Sequence, residues 1–226
     1  MVVAALKRFA VTKLRRKIES MPPEFSENLV YRSLLLHDFK SVFASRRIAE
    51  REAVWDYVAD TIGRDAKILF LEFGVHEGYS IRCFMQAFRN QDSRFFGFDS
   101  FEGLPEVWGR KKVGTFSTDG RLPDIDDARV TWVKGWFQDT LPDFHLPDGF
   151  GVVLAHLDAD LYSSTLFVLS QLWRRLPVFY AVFDEFAGHE TRALHNFTQA
   201  FPSSVEFLAH DDATTPRRVF CRITRK

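Results

Sequence analysis

The sequence predicts a doubly wound α/β fold: a seven-stranded, mostly parallel sheet with a C-terminal antiparallel hairpin and an N-terminal helical extension. Three observations lead there. From Lys67 onward, short apolar runs alternate with helical patterns. Several of those runs are continuously apolar, as strands covered on both faces require. The last two, "SVEFLAH" and "RRVFCRI", are separated only by "DDATTP", a connection suited to a hairpin.

Strands are expected at 67–73, 94–99, 130–134, 151–157, 178–184, 205–209 and 217–223, with helices at 79–89, 164–175 and 189–201 between them. Upstream, residues 1–65 read as a helical lid or oligomerisation segment, and residues 66–226 as the main domain. "Met21-Pro22-Pro23" breaks the first helix from the next, and "SRRIAEREAVWDYVADTIG" forms a helix with Ile48, Val54, Trp55 and Val58 on one side and Gly63 as C-cap. The first twenty residues are basic and amphipathic, which suits a packing helix, a lid or a contact with a membrane surface. Their charge follows the apolar residues, so a secretory signal is not expected.

A chain of 226 residues can bury one large core. Thirty basic and thirty acidic residues cancel, so nothing in the charge points to nucleic acid. No apolar run reaches the ~18 residues of a membrane span. Cys83 and Cys221 match no metal spacing and read as buried thiols in the cytoplasm. The 24 phenylalanines read first as core, since aromatic rings carry large apolar area.

Candidate chemistry gathers at the carboxyl ends of the strands. "LEFGVHEGYS" places Gly74 and Gly78 around a tight turn, with Ser80 opening a helix. The spacing is G-x-x-x-G, not the dinucleotide G-x-G-x-x-G, so a pyrophosphate cradle is missing. Glu72 is unsuited to phosphates and suited to a ligand ammonium group. Asp99 stands about twenty residues beyond the turn, where an acid accepts hydrogen bonds from a ribose diol. A nucleoside held without phosphate contacts indicates S-adenosylmethionine in place of a nicotinamide dinucleotide. Gly135, Trp136 and Phe137 follow the third strand, where an adenine edge would lie; stacking on the base and plain core packing both suit Trp136.

The fourth strand ends in His156, Asp158 and Asp160 and the fifth in Asp184 and Glu185. Neighbouring parallel strands would bring these acids to one rim, and converging carboxylates repel unless a cation lies among them. Oxygen donors favour Mg²⁺ or a similar hard ion, with Asp158, Asp184 and Glu185 as ligands. Asp160 also suits a helix cap. His156 could orient Asp158 or be a satisfied core histidine, and His189 is a candidate base.

The blocks "LEFGVHEGYS", "GFDSFEGLPE", "GWFQDTLP", "HLDADLYSST" and "VFDEFAGHETRALHNF", in this order over residues 71–201, resemble the macrocin O-methyltransferase family, which methylates sugar hydroxyls of macrolides. The resemblance implies a class I, Rossmann-like methyltransferase fold over residues 66–226 and divalent-metal-dependent transfer of a methyl group from S-adenosylmethionine to oxygen. It implies that Glu72, Gly74, Asp99 and Ser100 hold the donor and that Asp158, Asp184 and Glu185 hold the metal, with Asp158 also a base. The chain departs from the family in carrying Asp184-Glu185 in place of two aspartates, and His76-Glu77 in the glycine turn. The expected partner is a small molecule bearing a hydroxyl, on a sugar or another natural product, and the apolar N-terminal helices are the expected contact in a homo-oligomer. Two rivals are a nicotinamide-dependent oxidoreductase, disfavoured by the missing glycines, and a donor-binding scaffold without catalysis.

Overall fold

The computed structural model describes residues 13, 15–17, 19–21, 23–212 and 214–226. Of the basic segment at the start, residues 1–12 lie outside the described residues; Lys13, Arg15, Arg16, Lys17 and Glu19 are helical. Then come α1 (Pro23–His37), a 3₁₀ turn (Lys40–Ala44), β1 (Arg46–Arg47), α2 (Arg51–Ile62), β2 (Ile68–Phe73), α3 (Tyr79–Ala87), β3 (Arg94–Asp99) and β4 (Val130–Lys134). The second half carries α4 (Phe137–Thr140), β5 (Val152–Leu157), α5 (Tyr162–Arg175), β6 (Val178–Phe183), a π-type turn (Phe186–Glu190), α6 (Thr191–Ala200), β7 (Ser203–His210) and β8 (Val219–Arg225).

Among the described residues the strands form one sheet in the order β1-β7-β8-β6-β5-β2-β3-β4. The central strands run parallel, and β8 pairs antiparallel with both β6 and β7. The sheet therefore has eight strands where seven were expected. The eighth is Arg46–Arg47, which pairs parallel with Ala209 and His210. Two adjacent arginines carry neither the length nor the apolar character of a strand, and only the exposed edge beside β7 makes them one. For the same reason the helix expected from Ser45 starts at Arg51; Gly63 ends it, donating its N–H to the Ala59 carbonyl at φ +103°.

β2 shows why its sequence is apolar at every position. Leu69, Leu71 and Phe73 face a core shared with α1, α5 and α6, through Leu35, Val168, Leu172, Leu194 and Phe197. Ile68 and Phe70 face the other layer, with Trp55 and Val58 of α2 and Ile81 and Phe84 of α3. Both faces are covered, so the period of two is hidden in the sequence. From Pro23 onward, the described part of the 1–65 segment shares these two cores. The phenylalanines are largely core: Phe70, Phe73, Phe84, Phe95, Phe98, Phe183, Phe186 and Phe197 are each fully buried.

The strand order reverses around β2, which has β3 on one side and β5 on the other. In such sheets the crevice for a ligand opens at the carboxyl ends of the strands beside that reversal. One close approach stabilises this region. A Cβ at Gly97 would stand 2.5 Å from Cζ3 of Trp132 and 2.9 Å from Cγ2 of Val75. Gly97→Ala should therefore cost about 1–3 kcal/mol through overpacking, read as a lower urea midpoint; an unchanged midpoint would show that Trp132 moves aside freely.

Candidate functional site

The ladder of the sheet continues one residue past the strand ends and sets five groups in a row. Asp184 donates its N–H to the Leu157 carbonyl (3.0 Å), Asp158 to Phe73 (2.9 Å), Gly74 to Phe98 (3.0 Å) and Gly135 to Asp99 (2.9 Å). Along the rim the order is thus Asp184, Asp158, Gly74, Asp99, Gly135. A cavity of about 380 Å³ lies over this row.

The half around β2, β3 and β4 is glycine-shaped. Gly74 adopts φ +92°, and a Cβ there would lie 2.1 Å from the Asp158 carbonyl oxygen, so no larger residue fits. Gly78 opens α3 in the left-handed region, and a Cβ there would be 3.0 Å from Pro123. Asp99 organises the turn: Oδ2 accepts the N–H groups of Val75 (2.7 Å) and His76 (2.9 Å), and Oδ1 accepts that of Phe101 (2.7 Å). The lining includes Gly74, Ser80, Asp99, Ser100, Gly135, Trp136 and Phe137. Phe137 is fixed edge-on against Phe73, 5.7 Å between centroids.

Glu72 is not among the lining residues. It is fully buried beneath the turn, where its Oε1 accepts the Ser80 hydroxyl and pairs with Nδ1 of His156 at 2.9 Å. Its reach to the cavity is through Ser80. Burial opposes a charge on His156, but the hydrogen bond and charge of Glu72 outweigh it and raise the histidine pKa. His156 is thus a core histidine, edge-on to Trp55 and beside Phe84.

The half around β5 and β6 is charged. Asp158, Asp160, Asp184 and Glu185 all line the cavity, as the register of adjacent strands requires. Sequence reasoning did not find their partners. Arg218 grips Asp184 with Nε to Oδ1 at 3.2 Å and Nη2 to Oδ2 at 3.5 Å. Arg51, the first residue of α2, places Nη2 3.3 Å from Asp184 Oδ2 and 3.8 Å from Asp158 Oδ2. Glu185 pairs with Arg217. Beneath them Glu190 is fully buried, with Oε2 accepting the Glu185 N–H; burial, then Asp184 and Asp158, pushes its pKa well up. The Asp158 carboxyl is pushed up to about 8, by desolvation first and by Asp184 second, and burial raises Asp160 to about 7. The register could have revealed Arg218: Phe183 pairs with Val219 across the antiparallel ladder, so Asp184 stands opposite Arg218.

Two expected roles meet a different setting in the structure. Asp158, Asp184 and Glu185 do not fit a divalent ion as expected. Two of the three are turned to different arginines, the third lies beside Arg51, and among the described residues no group of three histidine, cysteine or acidic side chains converges. His189 is not in the cavity lining: the π-type turn carries its ring against Tyr31 (5.6 Å), and its Nδ1 lies 3.4 Å from the Tyr162 N–H. Burial lowers its pKa.

The loop 100–129 forms the remaining wall with Leu104, Pro105, Trp108, Lys111 and Phe116. Lys111 Nζ sits over both Trp108 (4.4 Å) and Phe116 (4.0 Å). The Ser163 hydroxyl donates to Glu106 at 2.8 Å and ties this loop to the start of α5.

With that geometry in place, the likenesses to known proteins fall into line. Residues 71–179 match the family of the methyltransferase domain. Demethyldecarbamoylnovobiocin O-methyltransferase of Streptomyces niveus is 27% identical over 161 residues, 62% of this chain and 60% of that protein. The 8-demethyl-8-(2,3-dimethoxy-alpha-L-rhamnosyl)-tetracenomycin-C 4'-O-methyltransferase of Streptomyces olivaceus is 31% identical over 150 residues, 56% of each. The chain thus spans less than two thirds of the length of either relative. Among solved structures, the O-methyltransferase NovP superposes with a TM-score of 0.55 at 20% identity, covering 78% of this chain and 79% of that one. A Bacillus cereus O-methyltransferase in complex with SAH gives 0.50 at 11% identity, covering 96% and 97%. The mostly parallel sheet with its terminal hairpin is a Rossmann-like fold, and residues 71–179 resemble the methyltransferase-domain family, with O-methyltransferases among the distant relatives.

Proposed function

We propose that this protein transfers the methyl group of S-adenosylmethionine to a hydroxyl oxygen of a small natural-product acceptor, with Asp158 taking the hydroxyl proton. The observation that carries the proposal is the unbroken rim, in which the glycine-shaped half and the acidic half share one cavity and meet where Gly74 touches Asp158. The donor lies over Gly74, Ser80, Asp99, Ser100, Gly135, Trp136 and Phe137, with Asp99 and the loop it organises beneath the ribose. The acceptor enters beside Asp158, under Trp108 and Phe116.

An alcohol is a weak nucleophile and must lose its proton as it attacks. As the proton passes to the Asp158 carboxylate, the oxygen forms its bond to the methyl carbon. The carbon–sulfur bond breaks with its electron pair left on sulfur, and the sulfonium becomes a neutral thioether. Asp184 is held by two guanidiniums, while desolvated Asp158 is the one suited to bind a proton. No step is assigned to a divalent ion, because the carboxylates that would hold it face arginines.

A sugar hydroxyl is the favoured acceptor. That preference, and the finer kinship with macrocin O-methyltransferases, rests on the sequence blocks over residues 71–201 and on a relative whose name places its methyl group on a rhamnosyl 4'-oxygen. Exposed Phe25, Leu29, Val30 and Leu36 on α1 accord with a second copy packing there. The unpaired thiols of Cys83 and Cys221 accord with the cytoplasm, and among the described residues no helix is long and apolar enough to cross a membrane.

Two predictions follow from the roles assigned. Asp158→Asn should lower methyl transfer by about 10²–10⁴-fold with donor affinity intact by calorimetry. A raised pKa leaves the base form scarce below about 8, so the wild-type rate should climb as pH rises through that value and the variant should lose this limb. Retained turnover in the variant would remove Asp158 from the mechanism. Asp99→Ala leaves three backbone N–H groups without their acceptor and should weaken donor binding about tenfold or more. Unchanged affinity would place the ribose elsewhere.

A further inference from the structure

We propose that Arg51 and Arg218 take the place of a divalent cation at the acidic rim, so that the site holds its carboxylates in order without metal. This rests on the methyl-transfer reading for its consequence, though not for its geometry. Both guanidiniums come from rigid elements. Arg218 precedes Val219 of β8, and the Phe183–Val219 register sets it opposite Asp184. Its backbone is fixed as well, its carbonyl accepting the Asp211 N–H at 3.1 Å. Its side chain is 15% exposed and that of Asp184 5%, so the pair is held away from water.

Arg51 stands at the first turn of α2, with its guanidinium 4.6 Å from the Trp55 ring and 5.9 Å from that of Tyr79. Those aromatic faces hold a planar cation in place at little entropic cost. From there one nitrogen, Nη2, lies within 4 Å of both Asp158 and Asp184. That is the position between neighbouring carboxylates where a bridging cation would act. A hard ion must come within about 2.0–2.6 Å of carboxylate oxygens, which would press it against Arg51. Each of the three expected ligands already has a guanidinium beside it: Arg51 and Arg218 at Asp158 and Asp184, and Arg217 at Glu185.

The departure from two aspartates to Asp184-Glu185 acquires a physical reading. Glu185 is spent on Arg217 at the mouth of the cavity, and its neighbour is spent on Arg218 within. Arg51 is then a positioning residue: it fixes the angle between Asp158 and Asp184 and supplies permanent positive charge beside the acceptor oxygen. Its Nε is buried and makes no hydrogen bond to protein, so the guanidinium keeps one donor unspent.

The test counts bound Mn²⁺ by electron paramagnetic resonance, using EDTA-dialysed full-length protein saturated with S-adenosylhomocysteine. The free Mn²⁺ signal should equal that in buffer up to millimolar concentration. Stoichiometric uptake with micromolar affinity, abolished in Asp184→Asn, would overturn the proposal. In Arg51→Met the released carboxylates should take up Mn²⁺ at least tenfold more tightly than in wild type, and equal lack of uptake in both proteins would show that arginine does not exclude the ion. Calorimetry of S-adenosylhomocysteine on the same sample separates the two readings. Absent donor binding would sink the methyl-transfer function, whereas donor binding with metal uptake would sink only the clamp.

Discussion

The site depends on the contact between Gly74 and the carbonyl of Asp158. At the end of β2 the chain turns with φ +92°, and the space a Cβ would need is taken by the backbone of the neighbouring strand end. Because Gly74 fits there, β2 and β5 stay in ladder contact one residue beyond their last pair, and the Asp158 N–H still finds the Phe73 carbonyl. The loop proposed to hold the donor and the acids proposed to face the acceptor are thereby parts of one edge. Reacting groups held in this way need little further ordering before they meet.

Beneath that edge lies a layer of buried charge that would be costly if any member stood alone. Glu72 and His156 are direct register partners on the neighbouring strands β2 and β5, and Ser80 binds the same carboxylate oxygen. Their conjunction fixes the first turn of α3 to the strands below it. On the other side both arginines reach Asp184, while desolvation first and the neighbouring Asp184 second raise the pKa of Asp158. Two aspartates in adjacent strands thus sit in different electrostatic settings, as the proposed roles require.

Much of this architecture was legible in the chain. The apolar runs marked all the long strands to within two residues, and "DDATTP" marked the terminal hairpin, because burial on both faces leaves an unambiguous signal. Gly74 and Asp99 were legible for a related reason: turns at strand ends restrict residue type by sterics. What was hidden depended on contacts distant in sequence. Arg46–Arg47 becomes a strand only beside β7, and Arg51 reaches acids more than a hundred positions away. Glu72 was expected to face a ligand ammonium group, but the chain could not show that its carboxylate would be sealed beneath Ser80 and His156. His189 looked close to the rim in sequence, and only the π-type turn directs it to Tyr31.

The central claim is that one edge of the sheet aligns donor and base. The most direct measurement is a crystal structure with S-adenosylhomocysteine bound. The account predicts the ribose at Asp99 and the adenine beside Trp136 and Phe137, with the sulfur turned toward Asp158 across Gly74. A nucleoside bound with its sulfur directed away from Asp158, or seated outside the rim from Asp184 to Gly135, would contradict it.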